Sequence, residues 1–143
     1  MRRILIVAVV GLVGLFIAQV KAQAPKQSPN FTGGEVTPVT ENNTGAIVKF
    51  HFAPGARTKW HSHSIGQIIL VEQGVAHVQI KGHPVVELSV GQTYYVGPGE
   101  VHWHGAAPDR DGTQFNVTRG ENTWLGEVTE EEFRAKPTLL KLP

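Results

Sequence analysis

Turn-forming segments containing glycine recur through the middle of this 143-residue chain, and from Gln73 onward each begins within about ten residues of the last. They are Pro54-Gly55, Gln73-Gly74, Lys81-Gly82-His83-Pro84, Val90-Gly91 and Gly97-Pro98-Gly99. Short segments rich in β-branched and aromatic residues lie between these turns, and that spacing is typical of an antiparallel sandwich or barrel. Because segments of this length are too short for the helices of a bundle, we predict an all-β fold.

The predicted strands are seven short segments of alternating or continuous apolar character. They are Ala46–Phe52, Gln67–Glu72, Val75–Ile80, Val85–Leu88, Thr93–Val96, Val101–His104 and Thr113–Thr118. A single short helix is predicted around Glu130–Ala135, because Thr129 and Glu132 have the spacing of a capping box and Pro137 ends the helix.

The N-terminal 24 residues have the three parts of a secretory signal: a basic start, an apolar run over 4–18 and a small-x-small triplet over 22–24. We predict cleavage after Ala24 and a periplasmic or secreted mature chain. An uncleaved membrane anchor is the alternative, although the apolar run is short for a bilayer of ~30 Å. The polar residues over 25–44 predict an extended segment, which leaves 45–143 as one domain.

Composition excludes several classes of function. The chain has 13 basic and 12 acidic residues, and three of the basic ones lie in the predicted signal, so the mature protein is too close to neutral to bind nucleic acid by charge. It also has no cysteine, which excludes thiolate metal sites, disulfides and cysteine nucleophiles.

All seven histidines lie between His51 and His104. His61 and His63 are two residues apart, as are His102 and His104, and in a strand this spacing places both rings of a pair on one face. Four imidazoles that face one cavity could bind Mn, Fe, Co, Ni or Zn. A lone pair of this kind is more often solvent-facing, but two pairs in one small domain favour a metal site.

Other residues have simpler interpretations. Gln67 begins an apolar strand and could add a carbonyl oxygen to the metal site, while Ile69 and Val71 on the same face predict a small apolar pocket. Trp103 faces away from the histidines and is predicted to pack in the core. Two groups are predicted to be structural or solvated: the histidines His51, His77 and His83, and the cations Arg57 and Lys59.

Two segments resemble the paired motifs of the cupin family. The first runs from Gly55 to Gln67 and closes at Gly74, and the second runs from Gly91 to His102. The resemblance spans roughly residues 45 to 120. It implies a jelly-roll-like β-barrel with one divalent metal ion, held by His61, His63, Gln67 and His102.

Three positions depart from the usual cupin pattern, and the first and third restrict the resemblance to a smaller group of cupins. Gln67 stands where most cupins have Glu, Gly97 where the second motif has Pro, and Ala106 where an Asn is usual. Residues 54–58, 66–67 and 102–108 are similar to bacterial cupins related to manganese-dependent hydroxynitrile lyases, in which a glutamine ligand is normal. This similarity implies manganese as the first expectation, with Fe, Ni, Co and Zn as alternatives.

The same resemblance implies a lyase that cleaves or forms cyanohydrins, with His104 beside the metal as the base. That group has a further active-site histidine where this chain has Gln114, which could exchange hydrogen bonds with substrate but cannot act as an acid or base near neutral pH. Two alternatives remain: an Fe-dependent dioxygenase and a non-catalytic metal- or small-molecule-binding cupin.

We expect a small-molecule substrate, no nucleic-acid partner and no membrane association after signal cleavage. Exposed strand edges favour a homodimer or higher homo-oligomer.

Overall fold

The computed structural model describes residues 27–39 and 46–140. The predicted signal over 1–24 and the domain boundary at 44/45 lie outside these ranges. Among the described residues, no helix has the length and apolar character needed to cross a bilayer.

Twelve strands and one short helix make up the described chain. They are β1 (Phe31–Thr32), β2 (Val36–Pro38), β3 (Ile47–Phe52), β4 (Arg57–Thr58), β5 (His61–His63), β6 (Gln67–Ile80), β7 (Val86–Ser89), β8 (Thr93–Val96), β9 (His102–Ala106), β10 (Gly112–Thr118), β11 (Asn122–Trp124), α1 (Glu130–Phe133) and β12 (Thr138–Leu139). The predicted all-β class is confirmed.

Most strands form a nearly closed antiparallel barrel with the order β1-β4-β9-β6-β10-β3-β2. The 14-residue β6 belongs to both halves of the barrel. Its first part pairs with β8 and β10, and its second part pairs with β7 and β9. Side chains alternate along β6, so one set of residues faces the interior and the other faces outward.

The turn predicted at Gln73-Gly74 is wrong, because β6 continues through it. Gly74 has a φ of +65°, and a Cβ there would lie 2.2 Å from the carbonyl oxygen of Asp111. Glycine therefore permits a close approach of the β6 backbone to the chain at Asp111 rather than a chain reversal. The pairing of β10 with β6 shifts by one residue beside this point, between Thr113 and Gln114.

The predicted C-terminal helix is confirmed but shorter than expected. Thr129 accepts a hydrogen bond from the Glu132 backbone, and the Glu132 carboxylate bonds back to the Thr129 backbone, so the capping box is complete. Phe133 packs with Trp103, which is fully buried as predicted. The Trp103 indole donates to Gln79 Oε1 at 2.7 Å.

Arg57 is buried, which contradicts its prediction as a solvated charge. Its guanidinium lies 2.6 Å from Glu130 Oε1, donates to the Val128 carbonyl and stands 4.2 Å from the centre of the Phe133 ring. These partners come from a segment over 70 residues away in the chain, so local sequence could not identify them. Arg57 therefore holds α1 against the barrel next to β9, the strand that carries His102 and His104.

We expect Arg57→Ala to lower the free energy of unfolding by about 2 to 4 kcal/mol, because a buried carbonyl and the Phe133 ring lose their partner. Urea unfolding measures the change. Arg134→Ala is the matched control, since this exposed arginine pairs with the same Glu130 and should change stability by less than about 0.5 kcal/mol. Equal losses in the two variants would contradict the anchoring role of Arg57.

Candidate metal centre

Two antiparallel strands bring the paired histidines together. His61 on β5 is directly opposite His102 on β9, and the ring centroids of this pair are 4.2 Å apart. His63 lies 5.4 Å from His102, and His104 lies 5.4 Å from His61. All four rings are buried and share one region of the barrel interior, as the two-residue spacing predicts.

Within the described chain, His61, His102 and His104 form the tightest group, with one ring nitrogen from each within 4.8 Å of the others. Three such imidazoles could hold a metal ion. His63 is adjacent, and its Nε2 is buried without a hydrogen bond. The structure thus brings together the predicted ligands and the predicted base, and it places His104 in the tight group where His63 was expected.

Each of the four imidazoles donates its Nδ1 hydrogen to an oxygen that can only accept. The acceptors are the Lys59 carbonyl for His61 at 2.9 Å, Asn122 Oδ1 for His63, the Glu100 carbonyl for His102 at 3.0 Å and Gln114 Oε1 for His104 at 2.7 Å. Because Nδ1 carries the hydrogen, Nε2 keeps its lone pair in every ring. Outer hydrogen bonds of this kind orient metal-binding histidines.

Burial keeps these rings neutral. It lowers the pKa of His102 to about 4 and that of His104 to about 3, with neighbouring imidazoles adding to the effect. Burial also lowers the pKa of His61 well below its usual value and lowers that of His63. Neutral imidazole is the form that binds a metal, so the cluster is in the ligating state at neutral pH.

Gln67 completes the donor set. Its Oε1 is 2.6 Å from His102 Nε2. Because the hydrogen of the His102 ring is on Nδ1, where it is donated to the Glu100 carbonyl, this contact brings a lone pair on oxygen against a lone pair on nitrogen. A cation between them would satisfy both atoms. Asn116 Oδ1 lies 3.5 Å from Gln67 Nε2 and keeps the amide in this orientation. The donor set therefore fits a divalent metal bound by nitrogen and one neutral oxygen.

Gln114 does not reach the pocket, contrary to its prediction as a substrate contact. It is fully buried, its Oε1 accepts from His104, and its Nε2 donates to the Gly105 carbonyl at 2.7 Å. Both ends of the amide are used within the protein. Gln114 is therefore a positioning residue that fixes the tautomer and the orientation of His104.

A pocket of about 320 Å³ opens beside the histidine rings. The prediction that Ile69 and Val71 line it is wrong, because both pack in the core of the barrel. The apolar wall instead comes from Phe31 on β1, Phe50 on β3 and Trp124 on β11. The predicted apolar character is thus supplied by strands distant in sequence, including one in the N-terminal segment.

Besides Phe31 and Phe50, three residues around the histidines were not predicted from the sequence. Asn122 holds His63, Asn116 orients Gln67, and the Trp124 ring lies 4.7 Å from the His61 ring at the pocket. Side-chain alternation could have indicated them, because residues two apart in a strand lie on the same face. Asn116 lies two residues after Gln114, and Trp124 lies two residues after Asn122.

The remaining histidines lie outside this centre, in agreement with their predicted structural roles. His51 contacts Thr113 Oγ1 at 3.2 Å, His77 contacts Glu87 Oε2 at 3.1 Å, and His83 is exposed in the turn after β6.

Comparisons with known proteins agree with this geometry. A model of the cupin domain matches residues 48–118. The chain is 35% identical over 128 residues to a protein named (R)-mandelonitrile lyase from Granulicella tundricola, and the match covers 82% of this chain and 98% of that one. The chain belongs to the cupin family. This cupin is also similar to the crystal structure of a cupin-like protein from Thermotoga maritima, with 37% identity, a TM-score of 0.67 and coverage of 82% and 96% of the two chains.

The fold is shared more widely. A polyketide cyclase from Streptomyces resistomycificus has a TM-score of 0.55 with this cupin at 18% identity, over 76% of this chain and 80% of that one. At that identity the likeness shows the common barrel and nothing about chemistry.

The metal-free protein should lose stability as the pH falls from 6.5 toward 4. The unfolded chain protonates its histidines near pH 6.5, whereas the folded chain holds the pKa of His102 at about 4 and that of His104 at about 3. The unfolded state then binds more protons in this window, so stability rises with pH by up to about 1.4 kcal/mol per pH unit for each such histidine.

Urea unfolding at a series of pH values, in the presence of a chelator, measures this slope. His104→Gln removes one of the buried rings and should reduce the slope. An unchanged slope in His104→Gln, or stability that does not fall between pH 6.5 and 4, would contradict the buried neutral cluster.

Proposed function

We propose that this cupin is a metal-dependent lyase that cleaves or forms cyanohydrins of small carbonyl compounds. The observation that carries the proposal is the convergence of histidine Nε2 lone pairs and the Gln67 oxygen beside an apolar, aromatic-walled pocket. The relative from Granulicella tundricola, named (R)-mandelonitrile lyase, supports a cyanohydrin as the substrate.

The proposed ligands are His61, His63, Gln67 and His102, and Mn is the proposed metal. His104 also lies in the tightest nitrogen group, and in this proposal it stands beside the ion as the base. The mixture of imidazole with a neutral amide oxygen suits several divalent ions, so the choice of Mn depends on the resemblance to manganese-dependent cupins. When bound, the ion would act as a Lewis acid toward a substrate hydroxyl or carbonyl oxygen. No ligand in the set is a carboxylate, so the protein neutralises none of the ion's charge.

His104 is the proposed base. Its Nδ1 donates to Gln114, so the lone pair that could take a proton is on Nε2, which lies 3.5 Å from Gln67 Nε2. In cleavage, the hydroxyl proton would pass to His104 Nε2, the oxygen would form the carbonyl as the C–C electron pair leaves with cyanide, and cyanide would then take the proton from His104 to give hydrogen cyanide. The pKa of about 3 makes His104 a weak base, so the hydroxyl it deprotonates must be strongly acidified in the site.

The pocket favours a small aromatic substrate. Phe31, Phe50 and Trp124 offer ring surfaces on its walls, and about 320 Å³ accommodates a molecule with one aromatic ring. We propose that these side chains hold the organic group, with the hydroxyl directed toward the histidines.

Benzaldehyde release from mandelonitrile tests the proposal. We expect protein reloaded with Mn after chelation to be active and the chelated protein to be inactive. His104→Ala should lower kcat/KM by at least about 100-fold, because the proton acceptor is lost. His83→Ala is the control, since His83 is exposed and does not line the pocket.

Oxygen uptake by the Fe-loaded protein with the same compounds would instead favour a dioxygenase. Absence of turnover with every metal, together with retained binding of aromatic aldehydes, would favour a non-catalytic binding cupin. Either result would contradict the lyase proposal.

A further inference from the structure

The N-terminal segment over 27–38 supplies part of the pocket, although it lies outside the domain predicted over 45–143. Ser28 and Phe31 line the cavity from this segment, and the other described lining residues lie between 48 and 124. Phe31 belongs to β1, which pairs only with β4 within the described chain. We call residues 27–36 the strap.

The Gln27 side chain closes the strap into a loop. Its Nε2 donates to the Gly34 carbonyl at 3.0 Å, and its Oε1 accepts from the Val36 backbone N–H at 2.9 Å. An amide that bonds one carbonyl and one N–H of the same short segment satisfies backbone groups that would otherwise need a neighbouring strand. One side chain at the start of the strap thus holds its two ends together.

Gly33 lets the strap lie closely against the barrel. It has a φ of +79°, and a Cβ there would lie 2.2 Å from the Gly55 carbonyl oxygen. The Lys59 backbone N–H adds a bond to the Asn30 carbonyl at 2.9 Å. Because β1 makes only two residue pairs with β4, these few contacts and the Gln27 bonds determine where the strap sits.

The strap places the Phe31 ring in the pocket. This ring meets the Phe50 ring edge to face with centroids 5.5 Å apart, and the Phe52 ring at 6.0 Å. Phe52 in turn lies 5.8 Å from the His104 ring. The strand of Phe50 and Phe52, β3, pairs with β2 on one side and β10 on the other, so its position does not depend on the strap. Phe31 is the ring of this group that the Gln27 bonds hold in place.

We propose that the strap is a specificity element, in which Phe31 limits the organic group of the ligand to about one aromatic ring and Gln27 is the positioning residue for Phe31. The inference rests on the proposed function only in that the pocket receives an organic group, and no step of the lyase reaction enters it. The cavity of about 320 Å³ is near the lower limit of the ~300 to 1,000 Å³ typical of ligand pockets. Truncating Phe31 would extend the cavity toward the strap and admit a larger ring system.

Binding of two neutral alcohols tests the proposal without turnover. Benzyl alcohol has one ring and 2-naphthalenemethanol has two, and neutral probes are suitable because no Asp, Glu, Lys or Arg of the described chain lines the pocket. NMR titration of the protein, purified as the expressing cell processes it and loaded with diamagnetic Zn²⁺, gives a dissociation constant for each probe. The ratio of the two constants reports the size of the pocket and does not depend on the fraction of protein that is folded.

We expect the parent protein to bind benzyl alcohol at least about 10-fold more tightly than 2-naphthalenemethanol. Phe31→Ala should shift the ratio by at least about 10-fold toward the larger probe, because the ring that blocks it is gone. Gln27→Ala should shift the ratio in the same direction by about 3-fold, because the ring remains but is held less firmly.

Phe115→Ala and Gln73→Ala are the matched controls. Phe115 is half-buried like Phe31, Gln73 is exposed, and neither lines the pocket. The ratio in both controls should stay within about 2-fold of the parent ratio.

An unchanged ratio in Phe31→Ala would overturn the size limit, and a shift in Phe31→Ala without one in Gln27→Ala would overturn the role of Gln27. A parent protein that binds both probes equally, or neither, would also overturn the proposal. Mandelonitrile cleavage distinguishes this failure from failure of the proposed function. Cleavage with unchanged ratios would retain the lyase and remove the specificity element, whereas shifted ratios without cleavage by any metal form would do the reverse.

Discussion

Four hydrogen bonds from histidine Nδ1 atoms determine what the interior of this barrel can do. Each bond ends on an oxygen that accepts and cannot donate, so each ring must keep its Nε2 lone pair. Burial then prevents protonation of these lone pairs. His63 Nε2 is buried without a hydrogen bond, and His102 Nε2 faces the oxygen of Gln67; both arrangements are unfavourable without a cation. This is the arrangement expected when a bound ion compensates the cost.

The barrel supplies those acceptors from several directions. Backbone carbonyls two residues before His61 and His102 hold those rings, and side chains from β11 and β10 hold His63 and His104. The centre is therefore built by packing several strands together. Arg57, which fixes the C-terminal helix against the same strands, contributes to that packing without touching the pocket.

Local pattern predicted those features that depend on neighbouring residues. The two-residue period placed each histidine pair on one face, turn spacing gave the barrel, and Thr129 with Glu132 gave the helix cap. Long-range contacts escaped prediction. Arg57 pairs with Glu130, which is far away in the sequence, and Gln114 accepts a hydrogen bond from His104. Gly74, which looks like a turn residue in the sequence, allows β6 to approach the carbonyl of Asp111 closely. None of these is encoded within a short window.

A metal-loaded crystal, with anomalous diffraction recorded at the absorption edge of the metal, tests the central claim most directly. The account predicts one strong peak among the histidine rings, about 2.0 to 2.3 Å from Nε2 atoms and from Gln67 Oε1. The Nδ1 hydrogen bonds should remain in place. A peak bonded to Nδ1, a peak elsewhere in the chain, or no peak at all would contradict the account.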